Sequence, residues 1–326
     1  MPRPAPLPRV AAVLVLRNEE RFLREHLAWH RAVGVERFYA FLDRCTDATA
    51  QIVAGADDVE VRERDRGEEH AWMSAYQTER MDEALALAAA DGFDWLLHVD
   101  ADEFARGGGP GGDPAERDAL PRLCARADRW ASRLRTRGRR VDQVILRPSE
   151  AVPERGAVPG SWAERAWFQD GGALERDVLD PADGRVRRLD HLIGASRGKS
   201  LVRIVAGARA ASAHHWTAAD GSPLATRRDG LHHHYVVTDA AHWREKYRKF
   251  AEYPDHWQKG NAVQFPKQAW KEASTRLSDD EAAAYFERWV AADPALLVEG
   301  PHLVHDPTIR DFVRGLGLPP LRPAAA

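Results

Sequence analysis

The chain has little of what would commit a protein to a disulfide scaffold or a nucleic-acid surface. Only two of its 326 residues are cysteines, Cys45 and Cys124, too few for a disulfide framework or a four-cysteine zinc site. The 47 Lys and Arg nearly balance the 50 Asp and Glu, giving a net charge of −3 and no overall field that attracts nucleic acid. We therefore expect free thiols, no nucleic-acid partner, and a local site for any anionic ligand.

Long hydrophobic runs are also missing. The apolar run from Val10 to Leu16 is far shorter than the roughly 20 residues that span a bilayer, so it predicts a buried strand and no transmembrane segment. We expect a soluble, cytoplasmic protein, with peripheral attachment to the inner membrane face as an open alternative. The heavy use of Ala and Arg is typical of a GC-rich bacterial genome.

Strands and helices alternate over the first hundred residues. Apolar strands are predicted at 10–16, 37–42, 59–62 and 95–99, and helical patterns fill the intervals, the longest over 72–90. This alternation predicts an α/β fold with a doubly wound, mostly parallel sheet. Ligands of such sheets bind outside the carboxyl ends of the strands.

Three polar clusters lie at those predicted carboxyl ends: Arg17–Glu19, Asp43–Asp47 and Asp100–Glu103. In the third, Asp100 and Asp102 are two residues apart, directly after an apolar strand. If the strand geometry persists they share a face, and paired carboxylates suit Mg²⁺ or Mn²⁺ bound together with substrate phosphates. A solvated turn is the competing interpretation of this D-x-D sequence.

The rest of the chain is divided by composition. The glycine-rich segment 107–114 predicts a surface connector or a mobile lid over the site. We expect five parts: a flexible N-terminus at 1–9, an α/β half at 10–105, a second half of the same domain at 106–240, a C-terminal helical extension at 241–318, and a tail at 319–326.

Four ordered motifs carry a resemblance to a known family. They are R-N-E-E at 17–20, E-H-L-A-W-H-R-A-V-G-V at 25–35, D-R-C-T-D at 43–47 and D-W-L-L-H-V-D-A-D-E-F at 94–104. This order resembles family-2-like glycosyltransferases, and in particular the subgroup related to family 92. The resemblance resumes at G-K-S-L-V-R (198–203) and H-H-H-Y (232–235). The second motif departs from the family pattern, with Arg44 and Cys45 where other residues are usual.

The resemblance implies a GT-A fold with a C-terminal acceptor-side extension, in which the half at 10–105 binds a nucleoside-diphosphate sugar as donor and the half at 106–240 binds the acceptor. It also implies a divalent cation, Mn²⁺ or Mg²⁺, as cofactor. On this basis Asp100 and Asp102 bind the metal and His234 is an added metal ligand. The donor-binding residues that it implies are Arg17, Asn18, Glu19, Asp43, Asp47, Gln77, Arg80 and Asp100. Asn18 and Asp47 have helix capping as an alternative role, and Gln77 and Arg80 have an exposed helix face.

Three further candidates follow from residue type. Lys199 can neutralise a phosphate as a point charge, with a solvent-facing lysine as the alternative. The tract His232–His234 can place only alternate side chains on one face of a strand. A base that deprotonates the acceptor hydroxyl is required for inverting transfer, and Asp190 and His191 are the preferred candidates among several acidic residues of the middle region.

The leading hypothesis is thus an inverting, metal-assisted glycosyltransferase of the hexosyltransferase type. It would act on a glycan, a lipid-linked acceptor or a small-molecule hydroxyl. Two alternatives stay open: a metal-dependent nucleotidyltransferase, and a non-catalytic carbohydrate-binding protein with the same fold. The first normally has a Gly-rich phosphate loop after strand one, and the segment Arg17–Glu20 is not of that kind.

Overall fold

The chain folds into fourteen strands and eight α-helices within the part that the computed structural model describes, which is residues 6–67, 73–107, 117–133, 140–170, 175–190, 198–254, 262–263, 265–293 and 303–318. The strands are β1 (Val10–Leu16), β2 (Val35–Leu42), β3 (Val59–Glu63), β4 (Trp95–His98), β5 (Glu103–Arg106), β6 (Gln143–Ala151), β7 (Trp167–Asp170), β8 (Glu175–Leu179), β9 (Val186–Asp190), β10 (Lys199–Arg203), β11 (Arg209–Ser212), β12 (His215–Thr217), β13 (Thr226–His234) and β14 (Leu303–His305). The α-helices are α1 (Glu20–Ala32), α2 (Thr49–Ala54), α3 (Met73–Ala90), α4 (Ala119–Arg133), α5 (Ala240–Ala251), α6 (Phe265–Arg276), α7 (Asp279–Tyr285) and α8 (Thr308–Leu316).

The predicted α/β class is confirmed by the first four strands. Their order in the sheet is β4-β1-β2-β3, and each neighbouring pair is parallel. Strand β1 is almost wholly buried, as expected for an interior parallel strand covered on both faces, which is why it is apolar throughout and does not alternate. The helices α1, α2 and α3 connect these strands, close to their predicted positions.

The chain separates into two compact units. The first comprises residues 1–148 and 197–232, and the second residues 149–196 and 233–326. Of the glycine-rich segment predicted as a loop or lid, only Gly107 lies within the described residues, and the predicted tail at 319–326 lies outside them. The predicted division into five parts stays a prediction.

The first unit extends its parallel strands with antiparallel ones. Strand β10 pairs antiparallel with β4 on one side and with β6 on the other, and β13 pairs with β5 and β6. The short hairpin β11–β12 brings Trp216, which is buried, into the hydrophobic cluster formed with α3 and the sheet. Antiparallel pairing therefore places residues near position 200 directly beside the end of β4.

The second unit contains antiparallel strands, a hairpin and a helical cluster. Strand β7 pairs with β14 and with the end of β6, and β8 pairs with β9. The buried side chains of Trp243 on α5, Trp270 on α6 and Phe286 form the centre of its hydrophobic cluster. Helix α7 begins with a capping box between Ser278 and Glu281. None of the helices in the described part of the chain has the length and apolar character needed to cross a membrane.

Gly198 makes the turn into β10 possible. Its backbone is in the left-handed region, with φ of +78°, and a Cβ atom added there would lie 2.0 Å from the carbonyl oxygen of Leu146. Gly221 has the same φ of +78°, but a Cβ added to it would meet no atom within 4 Å. The two glycines therefore separate backbone strain from steric contact.

We expect Gly221→Ala to lower the free energy of unfolding by about 1 kcal/mol, because only the left-handed backbone is strained. Gly198→Ala should cost about 2 kcal/mol or more beyond that, since the methyl group must also displace the backbone of β6. Urea unfolding of both variants tests this difference. Equal losses for the two variants would show that the close approach of Gly198 to Leu146 has no energetic weight.

Candidate active site

Three polar segments meet at one edge of the parallel sheet. Strands β1, β2 and β4 are parallel neighbours, so their carboxyl ends lie at the same edge. Arg17–Glu19 follows β1, Asp43–Asp47 follows β2, and Asp100–Glu103 follows β4. This is the edge at which sheets of this type bind ligands, and the predicted convergence of the three segments is confirmed by the strand order.

Asn18 joins the first two of these segments. Its side-chain oxygen accepts a hydrogen bond from the backbone nitrogen of Thr46 at 2.7 Å, and its amide nitrogen donates to the Thr46 hydroxyl at 3.1 Å. The backbone of Asn18 is left-handed, with φ of 58°, a conformation that Asn adopts more readily than most residues. Asn18 therefore holds the loop after β2 against the loop after β1.

Asp47 and Glu19 reinforce the same junction. The Asp47 carboxylate accepts from the backbone nitrogens of Thr49 at 2.9 Å and Glu20 at 3.1 Å, near the first turns of α2 and α1. The backbone nitrogen of Glu19 donates to the Thr49 hydroxyl at 2.7 Å. The alternative of a helix-terminal role for Asp47 is thus supported, and the donor-binding roles of Arg17, Asn18, Glu19 and Asp47 stay predictions.

Asp43 lies beneath the surface of the edge. Its side chain is 0% exposed, and its Oδ1 accepts from Nε of Arg44 at 3.0 Å and from the backbone nitrogen of Arg66 at 2.9 Å. The Arg44 side chain, by contrast, is 45% exposed. The predicted contact of Asp43 with a nucleobase or ribose stays a prediction, and in this arrangement Arg44 is the more accessible of the two side chains.

The acidic segment is a turn and not a continuation of the strand. Strand β4 ends at His98, and a backbone hydrogen bond of 3.0 Å from Glu103 to the carbonyl of Asp100 closes the turn. The Glu103 carboxylate accepts from the backbone nitrogen of Asp100 at 2.9 Å. Strand alternation therefore does not set the directions of Asp100 and Asp102, and Glu103, which the sequence did not single out, fixes the turn.

Lys199 contacts two carboxylates of this turn. Its ammonium donates to Oδ2 of Asp100 at 2.7 Å and lies 3.3 Å from Oε2 of Glu103. Lys199 is 1% exposed, so the alternative of a solvent-facing lysine is wrong. The side chain is buried because β10 lies between β4 and β6 in the sheet. Its predicted contact with a phosphate stays a prediction.

Gln77 and Arg80 on α3 have different surroundings. The Gln77 amide donates to Oδ1 of Asp100 at 3.2 Å. Arg80 pairs with carboxylates of its own helix, at 2.7 Å from Glu79 and 3.0 Å from Glu83. The structure thus brings Gln77, but not Arg80, into contact with the acidic turn, and their nucleotide-binding roles stay predictions.

A histidine approaches Glu103 from β13. Nε2 of His232 lies 3.6 Å from Oε1 of Glu103, and both residues are buried. The pairing of β13 with β5, which begins at Glu103, produces this proximity. His234 ends β13 two residues later, so strand alternation gives it the same face as His232. His233 points elsewhere, with Nε2 3.1 Å from Asp306.

Burial and charge set the protonation of this cluster. Burial raises the pKa of Asp100, but Lys199 and His98 oppose it and hold the pKa well below its usual range. Burial also lowers the pKa of Lys199, and the carboxylates of Asp100 and Glu103 more than reverse this effect. For His98, burial and the nearby Lys199 ammonium lower the pKa to about 3. A carboxylate, an ammonium and a neutral imidazole therefore coexist at neutral pH.

Helix α1 holds the start of β5 in place. The indole nitrogen of Trp29 donates to the carbonyl of Ala105 at 2.8 Å, and the Ala105 nitrogen donates to Nε2 of His30 at 3.2 Å. The other ring nitrogen of His30 lies 2.8 Å from the carbonyl of His26. These contacts account for the Trp and His of the second motif, whose side chains position β5 and, through it, Glu103.

Asp102, Asp190 and His191 are the remaining predicted residues, and His214 is a further neighbour of the cluster. Asp102 follows Asp100 in the turn and is 8% exposed, and its metal-binding role stays a prediction. Asp190 ends β9, and His191 lies outside the described residues, so neither prediction of a base is tested. His214 contacts the turn before Lys199, with Nδ1 2.8 Å from the carbonyl of Gly198.

The sequence places Glu103 in the acidic cluster without indicating a role for it, and it does not connect His98 or Arg66 with the predicted site. Glu103 lies within the D-x-D-E-F motif, so that motif held a signal. His98 ends an apolar strand, where a buried polar residue at the carboxyl end is itself a signal. No sequence signal connects Arg66 with Asp43, because their contact depends on the loop after β3.

Comparison with known proteins supports the resemblance. No family model matches the chain. The chain is 26% identical over 113 residues to a glycosyltransferase family 92 protein of Oryza sativa subsp. japonica. The aligned part covers 31% of this chain and 19% of that protein. The chain is also 25% identical over 224 residues to a glycosyltransferase-like protein of Arabidopsis thaliana. The aligned part covers 60% of this chain and 46% of that protein. The resemblance predicted from the four motifs is thereby confirmed.

The chain spans less than half the length of these curated relatives. Both are plant proteins, so they do not favour the bacterial origin expected from composition.

Two solved structures align with the chain at low similarity. One is glucosyl-3-phosphoglycerate synthase from Mycobacterium tuberculosis in complex with Mn²⁺, UDP and phosphoglyceric acid, at 17% identity, 43% of each chain and a TM-score of 0.26. The other is 4-diphosphocytidyl-2C-methyl-D-erythritol synthase, at 14% identity, 61% of this chain, 77% of that chain and a TM-score of 0.27. At these TM-scores neither likeness bears on fold or activity.

The buried His30 predicts a loss of stability in mild acid. Burial lowers its pKa from 6.5 to about 4, so the unfolded chain binds the proton first and stability falls as the pH drops from about 6.5 to 4. At pH 5 this amounts to about 2 kcal/mol. We expect His30→Gln, whose amide oxygen can accept from Ala105, to lose about 2 kcal/mol less than the parent between pH 7 and pH 5.

Urea unfolding of parent and variant at the two pH values measures this difference. Titrating groups away from His30 are common to both proteins and cancel, and loss of the His30 charge would partly relieve the lowered pKa of His26, which changes the acid sensitivity in the same direction. Parallel losses in the two proteins would contradict the assignment of the acid sensitivity to His30.

Proposed function

We propose that the chain is a metal-assisted glycosyltransferase that moves a hexosyl group from a nucleoside-diphosphate sugar to an acceptor hydroxyl, with inversion at the anomeric carbon. The observation that carries the proposal is the convergence of three polar loops, one of them acidic, at the carboxyl edge of β1, β2 and β4. The similarity to glycosyltransferase-like proteins supports it.

Different loops at this edge would bind the nucleoside and the diphosphate of such a donor. The loops after β1 and β2, joined through Asn18 and Thr46, would bind the nucleoside, with Arg44 as the accessible charged group there. The turn at Asp100–Glu103 would lie at the diphosphate. Because carboxylates repel a diphosphate, the turn requires a cation between the two.

The residues present fit a divalent cation. The turn carries three carboxylates, and His232 brings an imidazole to 3.6 Å from Oε1 of Glu103. Potential ligand atoms of Glu103, His232 and His234 all lie within 4.8 Å of one another. We propose that these three residues supply ligands to the cation and that Asp100 and Asp102 of the same turn supply further oxygen. When bound, a cation there would neutralise the negative charge that develops on the leaving diphosphate.

The kind of ligand distinguishes between the two candidate ions. Mg²⁺ is bound mainly by oxygen ligands and retains several waters, whereas imidazole is a more usual ligand of transition metals. A site that includes His232 or His234 therefore favours Mn²⁺ over Mg²⁺.

The base and the acceptor of the transfer are also proposed. Inverting transfer needs a base that takes the proton of the acceptor hydroxyl, and we retain Asp190 and His191 as candidates for that base. The acceptor would be a glycan, a lipid-linked molecule or a small hydroxyl compound.

We expect a panel of nucleoside-diphosphate sugars to reveal one that is hydrolysed slowly in the presence of Mn²⁺ and more slowly with Mg²⁺. Asp102→Asn should weaken binding of the cation, which then no longer balances the negative charge on the leaving diphosphate. We therefore expect hydrolysis to fall by about a hundredfold or more. Asp58→Asn is the matched control. Asp58 lies before β3, at the other edge of the sheet, in an exposed pair with Arg31, so activity should stay at the parent level.

The proposal fails if no sugar nucleotide is bound or hydrolysed with either ion and Asp102→Asn behaves as the parent protein does. Release of pyrophosphate from a nucleoside triphosphate and a sugar phosphate would assign the same edge to nucleotidyl transfer. Release of the nucleoside diphosphate supports glycosyl transfer.

A further inference from the structure

Both carboxylate oxygens of Asp100 already have partners. Oδ2 accepts from the Lys199 ammonium at 2.7 Å, and Oδ1 accepts from the Gln77 amide at 3.2 Å. Each oxygen retains a second lone pair, so a divalent cation can approach Asp100, but a cation bound there would lie close to the Lys199 ammonium. Because like charges at such a short distance repel, the ammonium competes with the cation for Asp100, and its displacement governs the affinity of the cation.

Strand pairing fixes the backbone of Lys199, so only its side chain can move when a cation binds. Its backbone pairs with Leu146 of β6, and the next residue, Ser200, pairs with His98 of β4. Gly198, immediately before it, lies against the carbonyl oxygen of Leu146. The ammonium can therefore leave Asp100 by rotation of its four-carbon stem, while its point of attachment stays at the carboxyl edge.

Glu103 is a second carboxylate partner for the Lys199 ammonium. Oε2 of Glu103 lies 3.3 Å from Nζ of Lys199, and Oε1 faces His232. The same Oε2 accepts the backbone nitrogen of Asp100. Oε2 thus holds the turn closed and neighbours the ammonium, while Oε1, which faces the imidazole, is the oxygen available to the cation. The ammonium therefore need not become unpaired when it leaves Asp100.

We propose that Lys199 is an internal counter-cation that competes with the divalent cation for Asp100 and, once displaced, donates to a phosphate oxygen of the donor. The inference rests on the proposed function for the identity of the phosphate, but its competition step concerns the metal alone. Two consequences follow. Without nucleotide the divalent cation binds weakly, and a bound diphosphate favours the cation because it receives the displaced ammonium.

The metal alone tests the competition. We expect Lys199→Met to bind Mn²⁺ at least about tenfold more tightly than the parent, measured by the electron paramagnetic resonance signal of free Mn²⁺, because the competing charge is removed. Lys199→Arg keeps a cation at the position and should stay within about threefold of the parent. Lys199→Gln is neutral and can still donate to Asp100, so it replaces the Met variant if circular dichroism shows that the latter does not fold.

A matched control is Lys271→Met. Lys271 is also buried, but its ammonium donates to the carbonyl of Tyr253 at 2.9 Å, in the second unit. Removing it should leave Mn²⁺ affinity unchanged.

Equal or weaker Mn²⁺ binding by both neutral Lys199 variants, including no binding by any protein, would overturn the inference. Tighter binding by those variants without turnover of any sugar nucleotide would support the competition and contradict the proposed function. The two claims therefore fail separately.

Discussion

The buried ion pair between Lys199 and Asp100 connects the parts of the candidate site. It joins the end of β4, which belongs to the parallel half of the sheet, to β10, which begins the antiparallel half. Taking a lysine out of water is costly unless its charge is matched and its hydrogen bonds are satisfied. Asp100 and Glu103 meet that requirement, so the acidic turn, the position of β10 and the left-handed Gly198 depend on one another.

Several side chains of the sequence motifs hold strands and loops of the candidate site in position. The Trp and His of α1 bind both polar groups of Ala105 and thereby fix β5, while Asn18 ties the loop after β1 to the loop after β2. Neither set of side chains needs to contact a ligand in order to matter. Several residues that the resemblance assigns to the donor, Asn18 and Asp47 among them, also hold together the loops around the edge.

The first half of the fold could be predicted from sequence because its signals are local. Val10–Leu16 is apolar throughout and is followed by a polar turn and an amphipathic helix, so neighbouring residues decide the structure. The contacts of Lys199 could not be predicted, because Asp100 lies 99 residues earlier in the chain and antiparallel register decides which side chains meet. His232 and Glu103 are likewise distant in the chain and meet through the pairing of β13 with β5. Asp43 was predictable as part of the edge, but its complete burial depends on the loop after β3, which carries Arg66.

The site as a whole depends on whether the acidic turn binds a divalent cation together with a nucleoside diphosphate. A crystal of the chain grown with Mn²⁺ and a nucleoside diphosphate, measured at the manganese absorption edge, would locate the ion. We expect an anomalous peak between the carboxylates at the end of β4 and the β-phosphate, with the Lys199 ammonium moved from Asp100 to a phosphate oxygen. A bound nucleotide with no anomalous peak at this turn would rule out metal binding there, whereas a peak with Lys199 still paired to Asp100 would rule out only the competition.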